Sequence, residues 1–110
     1  MAKYEKMVEG NFDSILEALD AAVLDGSVSA SFEDGSDYDE GDFHCAVRVY
    51  ERYSWTGGNR VTMTITLVGS DGLYLLSAIT SGGSQGIFFK LNTVGEESFL
   101  ETIEEVAESF

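Results

Sequence analysis

Two runs with period-two alternation, FHCAVRVYERYSW at 43–55 and RVTMTITLV at 60–68, lie close together in a chain without proline and constrain its fold more than any other feature. Successive side chains of a strand point to opposite faces, so alternation over this length describes two strands, each with an apolar and a polar side. In the second run Val61, Met63, Ile65 and Leu67 share one parity, and Arg60, Thr62, Thr64 and Thr66 the other. In the first run Phe43, Cys45, Val47, Val49, Tyr53 and Trp55 share the odd parity, against His44, Ala46, Arg48, Tyr50 and Arg52. A three-residue loop, Thr56-Gly57-Gly58, joins them as a hairpin, with glycine in the left-handed position such loops need. That loop pairs odd with odd positions: Tyr53 with Val61, Arg52 with Thr62, Tyr50 with Thr64 and Arg48 with Thr66. The odd face is then expected to be buried and the even face open, with Glu51 an imperfection near a strand end.

The rest of the chain supplies more strands and two helices. KYEKMVEG alternates weakly and reads as a short strand. In NFDSILEALDAAVLDG, Phe12, Ile15, Leu16, Leu19 and Val23 recur at helical spacing, with Asn11 placed to cap the first turn and Gly26 to close the last. SVSASF alternates Val28, Ala30 and Phe32 with serines, which predicts a half-buried strand. LYLLSAIT follows the turn GSDG as another strand, and IFFKL reads as a short final strand or a continuation beyond a bend. GEESFLETIEEVAESF carries Phe99, Leu100, Ile103, Val106, Ala107 and Phe110 on one stripe, and Thr93 with Glu96 has capping-box spacing. The expected fold class is α+β: an antiparallel sheet of five or six strands, order β-α-β-β-β-β(-β)-α, with two helices on one face.

At 110 residues and 44% hydrophobic content the chain is expected to be a single domain, 1–110, large enough to bury about two thirds of its unfolded surface. Neither a secretory leader nor an apolar run of membrane-spanning length is present in the sequence, and the expected setting is cytoplasmic. One cysteine, Cys45, makes no internal disulfide and agrees with a reducing compartment. Twenty acidic against six basic residues give a formal charge of −14, which repels polyanions and argues against nucleic acid and anionic membranes as partners.

Few motifs carry chemistry. EDGSDYDEGD at 33–42 holds six carboxylates, but counting from Asp37 an EF-hand would need Gly at 42 and Glu at 48, where Asp42 and Arg48 stand. A solvated acidic loop is the expectation, with no metal. His44 and Cys45 are neighbours on a strand and point apart, so they form no nucleophilic pair, and Cys45 is expected in the core. No catalytic residue and no cofactor is assigned; carboxylate chemistry in a small enzyme stays open as an alternative. TSGGSQG at 80–86 lacks the lysine and hydroxyl that complete a phosphate-binding loop, because Ile87 and Phe88 follow it. It reads instead as a bulge or bend.

Arg48, Arg52 and Arg60, every arginine in the chain, fall on the expected open parity with His44 and Tyr50. A guanidinium fork suits carboxylate or phosphate, and a tyrosine ring offers a stacking surface. His44, Arg48, Tyr50, Arg52 and Arg60 are therefore the candidate ligand-binding residues of a non-enzymatic binding or interaction domain. Its partner would be a small anionic ligand or an acidic peptide; alternatively, the sheet face forms a homodimer.

The phrases CAVRVYERYSWTGGNRV, SAITSGGSQGIFFK and NTVGEESFLETIEE together resemble a family of small bacterial proteins labelled as a domain of unknown function, over nearly the whole chain. The order of elements is also similar to one half of the TATA-binding-protein-like fold, which the resemblance implies as architecture; fold alone implies no function.

Overall fold

Turns set the sheet. Asp71 and Gly72 both take positive φ, 58° and 75°, the pattern of a two-residue type I′ turn, and they close a hairpin in which Ser70 pairs with Leu73. Gly41, at φ 59°, does the same first-position duty in the turn between Glu40 and Phe43. These two turns lie at one end of the sheet, where the Asp71 amide donates to Asp42 Oδ2 at 2.7 Å. The side-chain hydrogen bond between the two carboxyls, and then this amide, hold Asp42 below its ordinary value, while the same side-chain bond and the Asp42 charge raise that of Asp71.

The computed structural model describes residues 1–54, 59–82 and 89–110. The elements are β1 (Ala2–Glu9), α1 (Phe12–Asp25), β2 (Ser31–Glu40), β3 (Phe43–Ser54), β4 (Asn59–Ser70), β5 (Leu73–Gly82) and α2 (Phe89–Glu108). They form one five-stranded antiparallel sheet with two helices, the α+β class and element order that the residue pattern led one to expect, and the strands lie in the order β1-β5-β4-β3-β2.

α1 begins where Asn11 accepts a 2.9 Å hydrogen bond from the Ser14 amide, and ends where the Gly26 amide donates to Ala22 O at 3.0 Å. A Cβ on Gly26 would stand 2.7 Å from that oxygen and 3.2 Å from the Thr102 side chain, so glycine lets the end of α1 approach α2. Phe12, Ile15, Leu19 and Val23 of α1 join Phe99, Leu100, Ile103 and Ala107 of α2 in a buried cluster against the sheet. The sheet contributes Val8, Val61, Met63, Ile65, Leu67, Tyr74, Leu76 and Ala78. Each large aliphatic side chain so enclosed stabilises the fold by about 1.5–3 kcal/mol.

Four expectations need correction. The hairpin between β3 and β4 pairs Arg52 with Val61 and Tyr53 with Arg60, one residue away from the expected register. Pairing resumes at Ser54 with Asn59, so the connection spans 55–58, four residues instead of three; the predicted Thr56-Gly57-Gly58 turn itself lies outside the described residues. A slip of one reverses every side chain, so the even row of β3 shares a face with Val61, Met63, Ile65 and Leu67, and the arginines of β3 are not on the open face. Accordingly Ala46 and Tyr50 are buried, while Cys45, expected in the core, is half-buried on the other side.

The second correction concerns SVSASF and the acidic segment. β2 starts at Ser31 and takes in most of the segment expected to be a loop, whereas Val28 is fully exposed. An edge strand held by its ladder to β3 needs no apolar row, and Asp34, Asp37, Asp39 and Glu40 discourage pairing of its free edge with another chain. Third, the Phe89-Lys90-Leu91 part of IFFKL is the first turn of α2. Fourth, α2 therefore starts ahead of Thr93, and Glu96 is a buried residue inside the helix whose carboxylate meets the Met1 amino group. Of the stretch 80–86 expected to bulge or bend, Thr80, Ser81 and Gly82 end β5, and the rest lies outside the described residues.

Candidate functional site

β3 carries four of the five candidate residues on the side that faces the helices, and each meets a protein partner there. His44 Nδ1 lies 2.6 Å from Asp39 Oδ1 on β2, and its ring stacks on Phe12 with centroids 4.9 Å apart. Arg48 reaches across β2: Nη2 is 2.9 Å from Asp37 Oδ1, and Nη1 donates to Val47 O at 3.0 Å. Gly35 makes this possible, because a Cβ there would lie 3.2 Å from both Cδ and Nη1 of Arg48 and 2.9 Å from Val47 O. Tyr50, buried on β3, donates its hydroxyl to Asp20 Oδ1 of α1 at 2.7 Å. Arg52 runs under α2, donating from Nη2 to Ser98 Oγ at 2.9 Å with its guanidinium carbon 4.7 Å from the centroid of Phe99. Burial lowers the Arg52 pKa.

Arg60 belongs elsewhere. It projects from the opposite face of the sheet and pairs with Glu51, which the corrected register brings alongside it. The five residues thus do not converge, and all four basic ones among them are already engaged by acidic or hydrogen-bonding groups of the chain. An anion would have to displace those partners, at the cost of leaving carboxylates unpaired. The acids in question are Asp37, Asp39 and Glu51.

Two surfaces emerge instead. The first is the uncovered face of the sheet. Met7 on β1, Phe43 on β3 and Leu73, Leu75 and Ile79 on β5 are each 37–51% exposed on it. Between them lie half-buried Cys45, Val47, Val49 and Val68, with Thr62, Thr64, Thr66 and Ser77. None of these side chains is charged, in a protein of which 24% of residues are. Among the described residues, charge returns at the periphery, in Lys3, Glu5 and Glu9 of β1, the Arg60–Glu51 pair, and Asp34 and Glu40 of β2. The alternation in β3 did signal this surface, since its odd row is the more apolar; only the direction in which that row points was misassigned.

The second surface is a groove of about 450 Å3 between α1 and the β2–β3 ladder, lined by Leu16, Glu17, Asp20, Leu24, Phe32 and Arg48. Phe32 stands edge-on to Tyr50 with centroids 5.9 Å apart. Only Arg48 of this set was a binding candidate in the sequence, because the others acquire a common location only when α1 is laid on the sheet.

Burial, and then the hydrogen bond to Asp20, raise the Tyr50 pKa well above its ordinary value of 10.0. A folded-state value above the unfolded one means that the stabilisation is complete below pH 10.0 and is lost as pH climbs past it, since unfolding then releases a proton. Tyr4, pushed up to about 12 by burial and its bond to Glu108, acts with the same sign. Tyr50→Phe should therefore cost about 1 kcal/mol at neutral pH and flatten the alkaline fall in stability relative to the parent chain. Urea unfolding at pH 7 and at pH 11 measures both, and an unchanged alkaline slope would contradict the assignment.

Among the described residues no group of three or more His, Cys, Asp or Glu side chains is placed to hold a metal ion, and no helix is long and apolar enough to cross a membrane. The model of a family of unknown function (DUF6054) matches residues 1–110, and the chain belongs to that family. Neither the curated proteins nor the solved structures contain a match to it.

Proposed function

We propose that the chain is a non-enzymatic interaction domain that associates with a second copy of itself through the uncovered face of the sheet. One observation carries this: the more apolar row of β3, Cys45, Val47 and Val49, points away from the helices, while the row with two arginines points toward them. Apolar side chains on a strand are favoured where they leave water, and contiguous apolar surface of this extent marks an interaction site.

Size and charge favour a second copy. Five strands about 4.8 Å apart, each with about ten residues at about 3.3 Å, present a face of about 800 Å2, which equals the area each partner contributes to a standard interface. Two chains of charge −14 repel over most of their surfaces, and a centre free of charge is where repulsion is least. An apolar centre with a charged rim is also the usual anatomy of a protein interface. Packing two such faces about a two-fold axis makes a sandwich with sheets about 10 Å apart. The order of elements supports a TATA-binding-protein-like architecture as part of the same proposal, with the uncovered face as the working surface. A reducing, cytoplasmic setting accompanies it, because a chain with one cysteine gains no internal disulfide from an oxidising one.

Val49 and Thr64 face each other across β3 and β4 at the middle of this surface, so Val49→Asp and Thr64→Glu each bring two like charges to the interface of a symmetric dimer. Sedimentation equilibrium should give twice the chain mass for the parent protein at micromolar concentration and the single chain mass for both variants, with unchanged far-ultraviolet circular dichroism. A parent chain that is monomeric at about 100 μM, far above the affinity of a standard interface, would sink the proposal, as would a dimer indifferent to both substitutions.

A further inference from the structure

The groove between α1 and the β2–β3 ladder lies on the helix-bearing side of the sheet and is independent of the face assigned to self-association. We propose that it binds a small primary amine whose cationic head is joined to an apolar alkyl or aryl body. Its volume of about 450 Å3 falls within the range of small-molecule sites.

Apolar walls and charge define the ligand class together. Leu16 and Leu24 project from α1 and Phe32 from β2, so the body of a ligand meets hydrocarbon on both sides. Phe32 is 49% exposed, large for an aromatic ring that already has one edge against Tyr50. Glu17 and Asp20 line the same groove, and the one cation among its described lining residues, Arg48, is committed to Asp37. The local charge is therefore negative, and an ammonium group is attracted where a carboxylate or phosphate is repelled.

Asp20 is the anchor. Its Oδ1 accepts from the Tyr50 hydroxyl, which holds the side chain in one rotamer over the sheet. A carboxylate has about four acceptor positions, so one hydrogen bond leaves room for an ammonium donor. Electrostatic steering by a chain of charge −14 raises the local concentration of any cation near the mouth of the groove.

The probes are 2-phenylethylamine, the neutral 2-phenylethanol and the anionic 3-phenylpropanoate, titrated into the full chain and followed by amide chemical shifts at about 0.15 M salt. The amine should shift amides of Leu16, Asp20, Leu24, Phe32 and Arg48 saturably, with a dissociation constant on the order of 1 mM, as befits a ligand of so few atoms. The alcohol should bind about tenfold more weakly, and the propanoate more weakly still. Asp20→Asn should reduce the preference for amine over alcohol by about tenfold. Glu17 is exposed on the helix surface, and Glu17→Gln reduces the same preference without touching the Tyr50 contact, so a loss of folding in the first variant leaves the second informative. The same titration of Val49→Asp, with its interface broken, should give the same shifts, which separates this site from self-association. Equal or tighter binding of the propanoate, equal binding of the alcohol, no saturable shift with the amine, or shifts centred outside the groove would each overturn the proposal.

Discussion

Gly69→Ala should lower the melting temperature by about 10–20 °C, and thermal unfolding followed by circular dichroism measures it. Gly69 sits in β4 at φ 155°, where side-chain-bearing residues are rare, opposite Tyr74 of β5. A Cβ built there would be 2.3 Å from Leu73 O and 3.0 Å from Tyr74 Cα, both backbone atoms that no rotamer change can move. Relief therefore requires the two strands to part at the head of the Asp71-Gly72 turn, where Ser70 pairs with Leu73. Backbone strain of about 1–3 kcal/mol adds to lost pairing, giving about 3 kcal/mol in total, and a domain of this size loses about 5 °C per kcal/mol. Gly41→Ala is the control: the φ there is also positive, but nothing lies within 4 Å of its would-be Cβ, so only the conformational cost remains and the shift should be several-fold smaller. Equal shifts for the two variants would show that conformation, not contact, makes Gly69 necessary.

Phe99→Ala should destabilise the chain by about 3–5 kcal/mol in urea or guanidinium unfolding, since it removes a fully buried aromatic ring and leaves a cavity. The ring also underlies the Arg52 guanidinium at 4.7 Å. Burial already disfavours the charge on Arg52, so losing the π-face removes an attraction that offsets that penalty. Phe99→Leu separates the two contributions: it keeps most of the volume and deletes the ring. Its cost should lie between about 1 and 2 kcal/mol, and combining it with Arg52→Met should recover part of that loss if the guanidinium contact matters. A Phe99→Ala variant within 1 kcal/mol of the parent would mean that α2 does not pack as described.

Both helices and the strands β1, β3, β4 and β5 were legible in the residues because each rests on local chemistry. Asn11 and Gly26 bracket α1, the apolar stripe of Phe99, Leu100, Ile103 and Ala107 marks α2, and Asp71-Gly72 sits where a two-residue turn requires positive φ. β2 escaped notice because an edge strand is defined by hydrogen bonds to a neighbour, and its run SFEDGSDYDE has no hydrophobic row to betray it. The groove was invisible for a related reason: Leu16, Asp20 and Leu24 belong to a helix stripe, Phe32 to an edge strand and Arg48 to an interior one, and nothing in the chain order says that they meet.

The orientation of β3 marks the boundary between the two kinds of information. Its alternation is written in the residues, and so is the pairing of β3 with β4, because Val61, Met63, Ile65 and Leu67 need a face and Asp71-Gly72 orders the next strand. Which row of β3 turns inward depends on a single residue of loop length, and local pattern does not decide it when both rows can be satisfied. Here the inner row finds the carboxylates of Asp20, Asp37 and Asp39, the ring of Phe99 and the seat at Gly35, all on other elements. Those contacts exist only once the helices and β2 are in place, and they turn an apolar row of β3 toward the solvent.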